Sequence, residues 1–153
     1  MASRRIEDLD PRVQSGARAV LRAWADKGLD VLVTCTYRSN AEQAALYQQG
    51  RDGHPGQRVT NAKAGQSLHN HGRAMDVVPM VNGKALWDRE SPLWHIMYQV
   101  ARKVDPRISW GGNWAGFQDW PHYEWLLRDI EDSGKLAGLT DTLSGGSSTS
   151  EEA

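Results

Sequence analysis

Apolar positions change period several times along this chain, and each change marks an element. After Asp10-Pro11, a cap with proline at the first helical position, Val13, Ala17, Val20, Leu21 and Trp24 recur at helical spacing and Gly28 ends the run. Leu29 to Tyr37 is rich in β-branched residues and predicts a buried strand. Ser39-Asn40-Ala41-Glu42 has the form of a capping box, opening a second helix through Tyr47 that stops at Gly50. Arg51 to Gln66 lacks periodicity and predicts a long surface loop, of a length that is often functional in compact domains. Ala74 to Val78 predicts a short strand, with Ala74, Asp76 and Val78 on one face and Met75 and Val77 on the other. Asn82-Gly83 is a hairpin signal. Ser91-Pro92 starts a third helix with Leu93, Ile96, Met97, Val100 and Val104 as its stripe. Ile108 to Trp110 and His122 to Leu126 predict two more strands, and Leu126 to Leu136 a closing helix.

Helices and strands are interleaved, yet the strands are short and include a hairpin. The expected fold class is α+β, a small antiparallel sheet with flanking helices and the candidate site at the sheet face. Residues 1–139 are expected to form one catalytic domain and 140–153, dominated by Ser, Gly, Thr and Glu, a disordered polar tail. A chain of 153 residues, 39% apolar and 24% charged, suffices for a single core. A formal charge of −1 gives no electrostatic footprint for nucleic acid. No stretch has the apolar length to cross a bilayer, so no membrane segment is expected. Met1 to Arg5 is followed by Ile6-Glu7-Asp8-Leu9-Asp10 where a signal peptide needs an apolar run, which predicts synthesis in the cytoplasm without one. Cys35 is the only cysteine, excludes an internal disulfide, and reads as a small core residue.

Two stretches carry candidate chemistry. In Ser67-Leu68-His69-Asn70-His71-Gly72-Arg73-Ala74-Met75-Asp76, a histidine stands seven positions before an aspartate; in Asp119-Trp120-Pro121-His122-Tyr123-Glu124, an acid stands three before a histidine. Two imidazoles, a carboxylate ligand and a further carboxylate are what a catalytic zinc site uses, with one position open to water. Asp76 is the most telling, because it lies among Ala74, Met75, Val77, Val78 and Pro79, where an ionised carboxylate must be paired with a metal or an arginine. His71 competes with His69 as a ligand; His69 is preferred because His71 directly precedes the turning Gly72. Asp119 is either a base for water or a solvated loop aspartate. Glu124 either orients His122 from the same strand face or forms a surface ion pair. Arg38 lies just past a strand end, where side chains often face a site. His54 and His95 have weak claims. Of seven tryptophans, Trp24 and Trp94 fit core stripes, while Trp110, Trp114 and Trp120 gather at the second motif and either wall a site or, for at least one of them, pack in the core.

The pattern Ser67-x-His69-x-x-Gly72-x-Ala74-x-Asp76, then Asp119-x-x-His122, resembles a family of zinc peptidases. That family includes D-alanyl-D-alanine carboxypeptidases and dipeptidases and the L-alanyl-D-glutamate peptidases of phage endolysins. Agreement extends through Thr36-Tyr37-Arg38-Ser39, Glu42-Gln43, Leu46 to Arg51, Trp110-Gly111-Gly112 and Pro121 to Glu124, over roughly residues 6 to 127. The resemblance implies zinc bound by His69, Asp76 and His122, with Asp119 as general base, although the dipeptidase relatives carry glutamate there. It implies Arg38 at the scissile carbonyl and Ser67 on the substrate, with a helix or loop cap as the alternative for Ser67; Trp114 is expected to contact substrate as well. The function implied is hydrolysis of the L-alanyl-D-glutamate bond of peptidoglycan stem peptides by a monomeric, antimicrobial phage lysis enzyme. Such an enzyme would reach the cell wall or periplasm after release by a separate protein. The alternatives are a D-alanyl-D-alanine carboxypeptidase and a catalytically inactive zinc-bearing cell-wall-binding module; Asp119 and Arg38 argue against the latter.

Overall fold

Local sequence signals place most elements where the periodicity predicts them. Asp10 caps α1 (Pro11–Asp26) by accepting the Arg12 backbone N–H at 2.9 Å, and Val13, Ala17, Val20 and Trp24 form its buried stripe. β1 (Val31–Cys35) leads to α2 (Asn40–Gln48), whose Ser39–Glu42 capping box is formed in both directions. β2 (Ala74–Val81) and β3 (Lys84–Ala85) are joined at Asn82-Gly83, both with positive φ, as a tight hairpin turn requires. α3 (Leu93–Val104), β4 (Ile108–Trp110), β5 (His122–Trp125) and α4 (Leu127–Gly145) follow.

The computed structural model describes the backbone of residues 1–145 and the side chains of residues 1–139. Its sheet has the order β1-β2-β5-β4, every pair antiparallel, with β3 paired to β2 off that path. This is the α+β architecture expected. Met75, Val77, Ile108, Trp110, Tyr123 and Trp125 of the sheet pack with the buried stripes of α1 and α3 into one apolar cluster. The Trp24 indole donates to the Met97 carbonyl at 2.9 Å and ties α1 to α3. Fully burying each large apolar side chain contributes about 1.5–3 kcal/mol, so this cluster is what holds the sheet rigid.

Several expectations change. β1 is an edge strand with Leu32 40% exposed, not a buried strand, because β-branched residues suit edge and central strands alike. On α3, Ile96 and Val104 are exposed while Ala101 joins Met97, Val100 and the expected Trp94 in the core, so the helix is rotated from the predicted stripe. α4 continues through Gly145, which makes residues 140–145 helical rather than part of a disordered tail; residues 146–153 lie outside the described residues.

One irregularity positions the site. The β1–β2 register shifts between Val33↔Val77 and Cys35↔Asp76, a bulge that gives β1 an extra residue. Asp76 is in turn opposite His122 on β5. Cys35, Asp76 and His122 therefore stand in one row across three strands.

Candidate metal centre and active-site cleft

His69 reaches this row from a 3-10 turn, Leu68–His71, immediately before β2. Ser67 caps the turn, its hydroxyl accepting the His69 N–H at 3.3 Å. Gly72 closes it with φ 66°, and a Cβ there would lie 2.8 Å from the Asp10 backbone nitrogen, so both conformation and space demand glycine.

Two rings converge on one oxygen. His69 Nε2 lies 3.1 Å and His122 Nδ1 3.2 Å from Asp76 Oδ1. The remaining nitrogen of each ring is also engaged: His69 Nδ1 lies 2.7 Å from the Thr36 carbonyl, and His122 Nε2 lies 2.8 Å from Glu124 Oε1. Since a carbonyl or carboxylate accepts, those outer nitrogens carry hydrogen, leaving His69 Nε2 and His122 Nδ1 as potential ligands. Burial disfavours the charged rings, but hydrogen bonds to Asp76 prevail, helped by Cys35 beside His69 and Glu124 beside His122; the pKa values rise to about 10 and about 9, respectively. Burial pushes Asp76 upward, yet its bonds to both imidazoles hold it well below the usual carboxylate range. Two nitrogens and one oxygen, each ring braced by an outer acceptor, form a donor set that fits zinc.

Cys35, His69 and Asp76 also have donor atoms within 4.8 Å of one another. The Cys35 sulfur, however, lies 3.5 Å from His69 Nδ1, the nitrogen facing the Thr36 carbonyl, and also accepts from an Arg38 terminal nitrogen at 3.4 Å. The sulfur thus lies beside the other nitrogen of the ring, whereas His69 Nε2 and His122 Nδ1 share Asp76 Oδ1, which makes His122 the candidate third ligand. Cys35 is buried, as expected of a core residue.

Asp119 enters through the glycine turn after β4. The Gly111 carbonyl accepts from both Trp114 at 3.2 Å and Asp119 at 3.0 Å, folding the intervening loop back. A Cβ on Gly111 would lie 2.3 Å from the Asp119 carbonyl oxygen, so only glycine permits this approach. Asp119 is half-buried in the cleft rather than solvated on a loop, and its pKa is raised, first by burial and then by the charge of Asp76, against the lowering effect of His122. The Arg38 backbone N–H donates to the His69 carbonyl at 3.0 Å, and its guanidinium bonds to Gln43 at 2.9 Å rather than to a carboxylate.

A cleft of about 910 Å³ gathers His69, Asp76, His122, Asp119, Glu124, Arg38, Ser67 and Trp114, with Val59 and Phe117 among its other lining residues. Trp114 tilts against the His122 ring at 5.1 Å between centroids, whereas Trp110 is a core residue and Trp120 packs edge-on to Trp94 and Trp110. His71 is exposed and bonds to the Gly65 carbonyl, away from the row. His95 packs against Trp110 and Trp120, and His54 is on the surface. Sequence reasoning missed two contributors. The Thr36 carbonyl is backbone and leaves no side-chain signal. Gln43 is the only buried residue of α2; it figures in the family agreement as part of Glu42-Gln43, but nothing along the chain gives it a role.

The VanY family, described as D-alanyl-D-alanine carboxypeptidase, matches residues 6–128. The chain belongs to this family. It is 38% identical over 127 residues to the peptidoglycan L-alanyl-D-glutamate endopeptidase CwlK of Bacillus subtilis (strain 168), covering 78% of this chain and 74% of that protein. It is 28% identical over 151 residues to an L-alanyl-D-glutamate peptidase of Listeria phage A118, covering 95% of this chain but 45% of the phage protein. In structure it is similar to the Serratia marcescens L-Ala D-Glu endopeptidase ChiX, with TM-score 0.64 and 23% identity over 84% of this chain and 91% of ChiX. It is also similar to the vancomycin resistance D,D-pentapeptidase VanY in complex with Zn(II), with TM-score 0.53 and 16% identity over 84% of this chain and 77% of that one. These two structural likenesses concern the fold. Family membership makes the chain a peptidase.

Proposed function

We propose that this chain is a zinc-dependent peptidoglycan peptidase that hydrolyses the L-alanyl-D-glutamate bond of stem peptides as a phage lysis enzyme. The observation that carries the reading is the convergence of His69 Nε2, His122 Nδ1 and Asp76 Oδ1 in a cleft shared with Asp119 and Arg38. Those three atoms would hold the zinc, which when bound supplies a Lewis acid for water and the scissile carbonyl. Asp119 accepts a proton from the attacking water and returns it to the leaving amine; a carboxyl raised by burial is the better acid for that second transfer. Arg38 donates to the carbonyl oxygen as it gains charge. Ser67 acts chiefly as the cap that sets His69, and Trp114 contacts the stem peptide beside His122. Residues 1–139 serve as the catalytic domain.

The choice of bond is supported by CwlK and by the phage relative, and the lysis role by the phage relative. Among the described residues no helix is long and apolar enough to cross a membrane. Release to the wall by a separate membrane-permeabilising protein, and action as a monomer, belong to the same proposal. Digesting purified peptidoglycan and identifying new ends by mass spectrometry tests it. New N-terminal D-glutamate, lost on chelation and regained with zinc, is expected. Released D-alanine instead would make the chain a carboxypeptidase; zinc retention without cleavage would make it a binding module.

A further inference from the structure

The only buried side chain of α2 is polar. Gln43 is fully buried, and its amide has two engaged ends: Oε1 accepts from Arg38 Nη1 at 2.9 Å, while Nε2 donates to the Ala62 carbonyl at 2.7 Å and approaches Thr60 Oγ1 at 3.5 Å. Gln43 does not itself line the cleft, but Arg38, Thr60 and Ala62 do. A buried amide on a short helix is costly unless both ends are satisfied, and here each end meets a different part of the cleft. Asn70 makes a matching bridge on the main chain: its amide nitrogen donates to the Arg38 carbonyl at 2.9 Å and its oxygen accepts from Gly65 at 3.1 Å and Ser67 at 3.2 Å. The Arg38 backbone is thus held by Asn70 and the His69 carbonyl, and its guanidinium is aimed by Gln43 at Nη1, with a longer contact from Nη2 to the Cys35 sulfur at 3.4 Å.

Resting on the peptidase reading above, we infer that Gln43 is a positioning residue that joins Arg38 to the 51–66 loop, so that the cation for the scissile carbonyl and one wall of the cleft are held as a unit. Gln43→Met keeps the side-chain length and removes both hydrogen bonds. It is expected to lower kcat by about 10- to 100-fold with a smaller change in KM and unchanged zinc content, because a misaimed group of this kind costs that much. In an Arg38→Ala background, adding Gln43→Met should change kcat by less than about twofold, since the residue acts through Arg38. Two readouts need no turnover: faster tryptic cleavage after Arg58, and loss of exchange protection at the Arg38 guanidinium by NMR. If Gln43→Met does not fold, Gln43→Glu, which keeps the acceptor and loses the donor, should speed cleavage after Arg58 while leaving the Arg38 signal protected. Multiplying effects in the double variant, or wild-type proteolysis and wild-type Arg38 protection in the single one, overturn the inference. A wild-type enzyme that leaves peptidoglycan intact would defeat the proposed function instead, with the proteolysis and NMR results still deciding the role of Gln43.

Discussion

The row of proposed metal ligands and the rim of the cleft are built by different means. Asp76 and His122 sit on paired strands and His69 on a capped turn, and every ring nitrogen has a partner; His69 is 2% and His122 6% exposed. Around them, Val59, Trp114 and Phe117 stand on loops, and Phe117 is 74% exposed. The row has its geometry imposed by backbone register and buried hydrogen bonds, whereas the rim can adjust to what enters. Placing chemistry on rigid elements and contact surface on loops keeps reacting groups aligned while the substrate is accommodated.

The sharpest break of this contrast is removal of a ligand. His122→Ala is expected to abolish both bound zinc, measured by elemental analysis after dialysis, and peptidoglycan cleavage; activity in a zinc-free variant would move the chemistry away from the row. Asp119→Asn should lower kcat by about 10²- to 10⁴-fold while zinc stoichiometry stays that of wild type, separating the base from the ligands. Glu124→Gln should weaken zinc binding by about 10- to 100-fold in chelator competition, with an unchanged circular dichroism spectrum, because Glu124 braces His122 from behind.

Proton linkage tests the row without substrate. In metal-free protein Asp76 is lowered from 3.8, so its contribution to stability is present above 3.8 and lost as acid takes it through its depressed folded value. His69 and His122 are raised from 6.5 to about 10 and 9, so their contribution is full below 6.5 and fades as pH rises through 9 and 10. Thermal denaturation of chelator-treated protein should therefore show Tm falling from pH 6.5 to 10. Zinc competes with these protons, so its added stabilisation should shrink as pH falls, and calorimetry in buffers of different ionisation enthalpy should detect proton release on binding. The smallest expected effect is at the rim: Phe117→Ala should raise KM a few-fold and leave kcat and zinc content near wild type. A large kcat loss there would erase the contrast.

Much of this was legible along the chain. The caps at Asp10 and Ser39, the Asn82-Gly83 turn and the ligand motifs are local signals, set by backbone hydrogen bonding within a few residues. The rotation of α3 was legible only at Trp94, since its apolar residues occur around much of the helix and packing against α1 selects Ala101 for burial over Ile96 and Val104. Nor was the edge position of β1, since pairing partners are not encoded in one strand's composition. Glu124 was ambiguous until β5 placed it beside His122, and the surface ion pair then gave way to a half-buried brace.

The sequence by itself determined which side chains were available for a metal and a base, because residue type and spacing carry that information directly. Tertiary structure alone decided which nitrogen of each imidazole faces Asp76, that Cys35 lies against His69 Nδ1, and that Gln43 joins Arg38 to a distant loop. Those outcomes depend on a bulge in β1, a carbonyl at Thr36 and contacts across strands, and no single segment of the chain contains both partners.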